Sequence, residues 1–115
     1  MKKAYYLPQC GTCQRILEEV NWSNQTQDIR TDKLTEEQLD HMASLSGSYE
    51  SLFSRRAIKY KSMGLKGKSL SELDYKRLIL EEDTFLKRPV FIIDDSIFIG
   101  NSKKTVEQLK LALNE

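Results

Sequence analysis

The pattern of apolar and polar residues near the N-terminus predicts a strand, a helix and a second strand. Residues 3–7 are rich in aromatic side chains, which favours a strand. Pro8 ends this strand, because proline lacks the amide hydrogen that a strand ladder needs. The next apolar residues recur at the spacing of one helix face, namely Cys13, Ile16, Leu17 and Val20. A turn at residues 21–24, with Trp22 packed on the core, precedes a shorter strand predicted at residues 25–29.

Residues 34–82 have a helical pattern almost throughout. Thr35-x-x-Gln38 has the form of a capping box and predicts a helix start. The apolar side of that helix would carry Leu39, Met42 and Leu45. Two short helices are predicted after Gly47 and before Gly64, because glycine favours helix ends. A second capping box is predicted at Ser69-x-x-Glu72, and the helix that it opens would carry Leu70, Leu73 and Leu78 on its apolar side.

The period changes again in the last third of the chain. Residues 90–93 are continuously apolar and predict a buried strand, with residues 97–99 as its hairpin partner. A last helix, capped by Asn101 or Ser102, would bury Val106, Leu109 and Leu113. The predicted order is therefore β-α-β, several helices, then β-β-α. This is the α/β order of a thioredoxin-like fold in a single domain of residues 1–115, with an all-helical insertion at about residues 34–82.

Cys10 and Cys13 lie where the first strand gives way to the first helix. Cys10 would lie at the helix start, where free amides and the helix dipole stabilise an anion. A thiolate in such a place can have a pKa of roughly 3.5–7.5 instead of about 8.5. Cys10 is therefore the candidate nucleophile, and Cys13 is either a resolving thiol or a buried bystander. A four-ligand zinc site is excluded, since the chain has two cysteines and one histidine.

Length, composition and charge indicate a globular domain without a membrane-spanning segment. A chain of 115 residues, 39% hydrophobic and 30% charged, is typical of a globular domain, and we expect a monomer. No apolar run has the length of a membrane span, and no secretory signal is visible, so a cytoplasmic location is expected. A net charge of +1 argues against direct binding of nucleic acid. Residues 51–71 nevertheless contain six basic residues and no acidic one, which indicates either a solvated helix surface or an anion site.

Four short motifs, in this order, resemble the ArsC/Spx family of arsenate reductases and redox-sensing regulators. They are Pro8-x-Cys10-Gly11-Thr12-x-x-Arg15, residues 28–32, Arg56-x-x-x-Tyr60, and Leu86-x-Arg88-Pro89. The resemblance covers essentially the whole chain and implies a thioredoxin-like fold with a cis peptide bond before Pro89. It also implies that Arg88 approaches Cys10 and that Arg56 faces the same cleft, with Arg55 as a substitute. The residues expected to bind an anion are Gly11, Thr12, Arg56, Arg88 and Pro89.

The chain also departs from the arsenate reductases that it resembles. It has no arginine after Arg88. Lys103 and Lys104 lie near the start of the last helix, where those enzymes have a third arginine, and Cys13-Gln14 stands where those enzymes have Ser-Arg. These differences weaken the expectation of efficient arsenate reduction, while the second cysteine is similar to that of Spx.

Two hypotheses for the function follow. In the first, Cys10 catalyses thiol chemistry without a bound cofactor, assisted by Arg88 and resolved by Cys13 or by glutathione, glutaredoxin or thioredoxin. In the second, a Cys10–Cys13 switch controls binding to RNA polymerase.

Overall fold

The computed structural model describes residues 1–114 and contains one four-stranded sheet. The strands are β1 (Lys2–Tyr6), β2 (Gln25–Asp28), β3 (Val90–Ile93) and β4 (Ser96–Ile99), in the order β2-β1-β3-β4. β1 pairs with β2 in parallel, and both the β1–β3 and the β3–β4 pairs are antiparallel. The helices are α1 (Gly11–Glu19), α2 (Glu36–Ser46), α3 (Ile58–Ser62), α4 (Glu72–Glu81) and α5 (Lys103–Leu113). The predicted order of β-α-β followed by β-β-α, and with it the thioredoxin-like α/β class, is confirmed.

The chain divides into two compact units. The first contains residues 1–33 and the described residues from 88 onward, which carry the sheet, α1 and α5. The second contains residues 34–87 and is built from α2, α3, α4 and two 3₁₀ turns, Glu50–Leu52 and Asp83–Phe85. The assignment of both units to a single domain stays a prediction. No helix within residues 1–114 has the length and apolar character needed to cross a membrane.

The core of the first unit forms where the two helices bring apolar residues to the strands. Its buried members are Ala4, Ile16, Phe91, Ile93, Val106 and Leu109. Trp22 packs against this cluster as predicted, with its ring 5.0 Å from that of Phe91 in an edge-to-face arrangement. The indole N–H of Trp22 also donates to the carbonyl of Gln25, at 3.0 Å, which fixes the turn before β2. The helix that closes the unit is capped by Ser102 rather than Asn101.

The second unit corrects the prediction of nearly continuous helix over residues 34–82. Its first helix begins as expected, since Thr35 and Gln38 form a capping box and Gly47 ends α2 in the left-handed region, with φ +103°. Beyond Gly47, however, the chain forms only a 3₁₀ turn and the five-residue helix α3 before α4. The 3₁₀ turn leads into Phe53, whose ring lies 4.9 Å from Tyr75 and 5.0 Å from Phe85. This aromatic cluster holds the irregular segment in place.

The second predicted capping box is wrong by two residues. The N-cap of α4 is Ser71, which exchanges hydrogen bonds with Asp74, at 2.9 and 3.2 Å. The carboxylate of Glu72 instead accepts the backbone N–H groups of Tyr49 and Glu50, at 2.7 and 3.1 Å. The shifted start turns Tyr75, Leu78 and Ile79 inward and leaves Leu73 74% exposed. Burial of Tyr75, Leu78 and Ile79 therefore accompanies the later start of α4.

Candidate functional site

Cys10 lies on a tight turn between β1 and α1. Its N–H donates to the carbonyl of Leu7 at 3.1 Å, which closes a turn through Pro8 and Gln9. Cys10 is the N-cap residue of α1, and its Sγ accepts the backbone N–H of Cys13 at 3.4 Å. The thiol therefore lies at the positive end of the helix, where a thiolate is stabilised by the free amides of the first turn.

Arg88 and Pro89 come to Cys10 from the segment before β3. The Arg88-Pro89 peptide bond is cis, as the sequence resemblance implied. Pro89 is buried, and its carbonyl accepts the N–H of Gly100 at 2.9 Å. The half-buried Arg88 acts on the Cys10 sulfur through its positive charge and a hydrogen bond. A cation and a helix N-terminus thus converge on one sulfur atom.

The surroundings give the two thiols opposite acidities. Burial of Cys10 raises its pKa, but hydrogen bonds from the Cys13 thiol and amide, together with Arg88, outweigh this effect and lower the pKa below its ordinary value. Burial raises the pKa of Cys13 to about 12, and its side chain is 0% exposed. Both thiols are free, and Cys10 is only half-buried. Cys10 is therefore the more acidic and the more accessible of the two thiols.

Gly11 and Thr12 form the first turn of α1 directly after Cys10. Gly11 is exposed and Thr12 is half-buried, so this end of the helix is open to solvent. The first amides of a helix have no partner within the helix and are available to an anion. A Cβ built on Gly11 would meet no heavy atom within 4 Å, so packing does not demand glycine there. The first unit thus brings together all the predicted site residues except Arg56.

The ArsC family model matches residues 5–109, a span that includes the Cys10 turn and most of α5. This chain belongs to the ArsC family. Three solved structures share its fold over nearly the whole length of both chains. A Bacteroides fragilis protein described as related to the ArsC family is 25% identical, with a TM-score of 0.78 over 94% of this chain and 97% of that one.

The protein named YffB (PA3664) is 18% identical to this ArsC-family chain, with a TM-score of 0.82 over 98% of this chain and 99% of that one. A "possible arsenate reductase" from Streptococcus mutans is 24% identical, with a TM-score of 0.73 over 95% of this chain and 97% of that one. These two structures support the fold. No curated protein sequence matches the chain.

Arg55 and Arg56 of this ArsC-family protein lie in the second unit and differ in their contacts. Arg55 is paired with Glu50 at 2.8 Å and donates to the hydroxyl of Tyr75 at 3.0 Å. These contacts tie Arg55 to its own unit and disfavour it as a substitute anion ligand. Arg56 is exposed, and no carboxylate among residues 1–114 lies within 4.0 Å of its guanidinium. Its role in binding an anion stays a prediction.

Two side chains that the sequence pattern did not assign to the site contact the Cys10 turn. Gln14 Nε2 donates to the carbonyl of Pro8 at 2.8 Å. Arg30 Nη1 donates to Oε1 of Gln9, the residue before Cys10. Gln14 lies one helical turn after Cys10, which was the available signal in the sequence. Arg30 lies in one of the family motifs, but only the folded chain brings it to Gln9.

Proposed function

We propose that this ArsC-family protein is a thiol-dependent oxidoreductase in which the Cys10 thiolate is the nucleophile. The observation that carries the proposal is the position of Cys10 Sγ, which accepts the amide of Cys13 at 3.4 Å at the start of α1 and has Arg88 beside it. This setting favours the thiolate over the thiol, so the proposed nucleophile needs no separate base. The half-buried position also leaves the sulfur open to a small electrophile.

The proposed reaction is thiol–disulfide exchange. Cys10 thiolate attacks one sulfur of a disulfide, forms a mixed disulfide and releases the other sulfur as a thiolate. A second thiol then attacks the other sulfur of the mixed disulfide and releases Cys10 as a thiolate. Alternatively, Cys13 attacks the Cys10 sulfur, forms a Cys10–Cys13 disulfide and releases the bound group as a thiol. Cys13 must lose its proton for the second route. The negative charge of Cys10 is one of the causes that raise the pKa of Cys13, and the mixed disulfide removes that charge. Glutathione, glutaredoxin or thioredoxin is the proposed external reductant.

Efficient reduction of arsenate is not part of the proposal. A tetrahedral oxyanion with several charges needs several convergent donors. The donors found at Cys10 itself are Arg88 and the first amides of α1, while residues 90–115 contain no arginine. Loss of one donor from such a site typically reduces the rate by about 10²–10³-fold. Lysine does not replace arginine here, because Lys103 and Lys104 would supply point charges rather than a planar fork.

Turnover assays with purified protein test this proposal. A mixed disulfide of glutathione and 2-mercaptoethanol, with glutathione, glutathione reductase and NADPH, reports thiol–disulfide exchange. Arsenate with glutathione and glutaredoxin reports arsenate reduction in parallel. We expect turnover of the disulfide, its loss in Cys10→Ser, and far weaker turnover of arsenate than in an authentic arsenate reductase. Disulfide turnover that survives in Cys10→Ser would contradict the proposal.

A regulatory function is the second candidate, and one surface of the second unit favours it. Residues 51–71 contain no acidic residue. Lys61, Lys66 and Lys68 are exposed there, and none of them lies within salt-bridge distance of a carboxylate among residues 1–114. Such a surface suits an acidic protein partner, which under this hypothesis is RNA polymerase. Polymerase pull-down with reduced and oxidised protein would distinguish the candidates, since a regulator should bind in one redox state and lose binding when the three lysines are changed to glutamate.

A further inference from the structure

Gln14 holds the turn that presents Cys10, although it does not touch the sulfur. Its side-chain Nε2 donates to the carbonyl of Pro8 at 2.8 Å, and its backbone N–H donates to the carbonyl of Cys10 at 3.2 Å. One residue on α1 therefore binds carbonyls on both sides of Gln9. We propose that Gln14 is a positioning residue for Cys10 and fixes the turn so that Sγ stays at the helix start beside Arg88. This inference rests on the proposed function of Cys10 as the nucleophile.

The turn needs an external support because its own hydrogen bonding is sparse. Pro8 has no N–H, and the backbone bond that closes the turn runs from Cys10 to Leu7 at 3.1 Å. The contact between Sγ and the Cys13 amide is 3.4 Å long. Hydrogen bonds weaken as the donor and acceptor separate or lose alignment. A small displacement of the turn would therefore remove a large part of the stabilisation of the thiolate.

A second support reaches the same turn from the other side. Arg30 Nη1 donates to Oε1 of Gln9, and the backbone N–H of Arg30 donates to the carboxylate of Asp28 at 2.9 Å. Asp28 is the last residue of β2, so the turn is tied to the sheet through Arg30 and to α1 through Gln14. Gln14 is the residue to test, because it contacts the backbone of the turn, at the carbonyls of Pro8 and Cys10, whereas Arg30 contacts the side chain of Gln9.

The unfolding temperature and the pH profile of Cys10 distinguish a purely structural role of Gln14 from a positioning role. Its side chain is exposed, so its removal costs little packing. A structural role would lower the unfolding temperature and leave the acidity of Cys10 unchanged. A positioning role would change the pH profile of Cys10 while the unfolding temperature stays close to that of the parent protein.

The test is a pH titration of the thiolate by its ultraviolet absorbance, together with the rate of iodoacetamide alkylation below neutral pH. Because the pKa of Cys13 is about 12, ionisation in the acidic and neutral range reports Cys10 alone. In Gln14→Leu, which keeps an aliphatic side chain but lacks a donor, the titration should move to higher pH. The alkylation rate should fall about threefold to tenfold, the size expected for one lost hydrogen bond. Gln14→Asn has a side chain too short to reach Pro8 and should give the same changes in titration and alkylation rate. It tests the positioning role of Gln14 if Gln14→Leu does not fold.

The matched control is Gln108→Leu, which changes an exposed glutamine on α5. It should leave the titration and the alkylation rate unchanged. If Gln14→Leu and Gln14→Asn titrate like the parent protein, the positioning role is wrong while the proposed function stands. If Cys10 of the parent protein already titrates as an ordinary thiol, the proposed function itself fails. An equal shift in Gln108→Leu would also overturn the inference, because the effect would not be specific to the turn.

Discussion

Changing either cysteine to serine should separate the two thiols by reactivity. The pKa of Cys13 is raised to about 12, chiefly by burial. At about pH 7.5, a thiol of that pKa is ionised to about 3 × 10⁻⁵, whereas an ordinary thiol of pKa about 8.5 is ionised to about one-tenth. The thiolate population alone therefore favours Cys10 by at least about 3,000-fold, since the pKa of Cys10 is lower than ordinary.

Intrinsic nucleophilicity reduces this advantage, because a more basic thiolate attacks faster. The pKa of about 12 lies about 3.5 above that of an ordinary thiol. With a Brønsted coefficient of about 0.4–0.5, this difference makes the Cys13 thiolate intrinsically about 25- to 55-fold more nucleophilic. The net preference for Cys10 in the intact protein is then about 50- to 100-fold, before the exclusion of reagent from the buried Cys13 is counted. In Cys10→Ser, the contribution of Cys10 to the raised pKa of Cys13 is lost, but burial, which is the largest cause of the raised pKa, remains.

Alkylation by iodoacetamide, followed by mass spectrometry, measures this preference directly. Cys13→Ser, which retains Cys10, should react at least about tenfold faster near neutral pH than Cys10→Ser, which retains Cys13. The rate for Cys10 should also reach its plateau below the pH at which a free thiol does so, because its pKa is lowered. If the two single-cysteine proteins react at similar rates, or if the rate for Cys10 rises only above the ordinary thiol pKa, the assignment of Cys10 as nucleophile is refuted.

Three further predictions concern the site and the fold. Arg88→Met should raise the pKa of Cys10, because it removes both the charge and the hydrogen bond, and Arg88→Lys should give a smaller rise; an unchanged alkylation profile in Arg88→Met would contradict this. Mild peroxide should produce an intramolecular Cys10–Cys13 disulfide. If mass spectrometry finds only mixed or intermolecular disulfides, the hypothesis of a Cys10–Cys13 redox switch is wrong. Ser71→Ala should lower the free energy of unfolding by about 1 kcal/mol in urea denaturation, because Ser71 caps α4, and Ser69→Ala should lower it by less than about 0.5 kcal/mol. A larger loss in Ser69→Ala than in Ser71→Ala would instead support the capping box at Ser69 and Glu72.

The position of Cys10 at a helix start could be read from the sequence because it depends on neighbours within a few residues. An aromatic-rich strand, a proline that ends it and an apolar helical period after it define the junction. The hairpin of β3 and β4 was predictable for the same reason, since a continuous apolar run and two acidic turn residues lie side by side in the chain. Such local signals act on the backbone directly and need no distant contact.

The register of α4 and the chemistry of the two thiols depended on tertiary contacts. Ser69 and Ser71 are equivalent as local caps, and the choice between them follows from burial of Tyr75 and from the amides that Glu72 binds. Likewise, two neighbouring cysteines acquire opposite acidities because folding buries Cys13 and brings Arg88 to Cys10 from the far end of the chain. The sequence therefore predicted Cys10 as the nucleophile from its place at the helix start. Desolvation of Cys13 and the charge of Arg88 act through space, so these two contributions exist only in the folded chain.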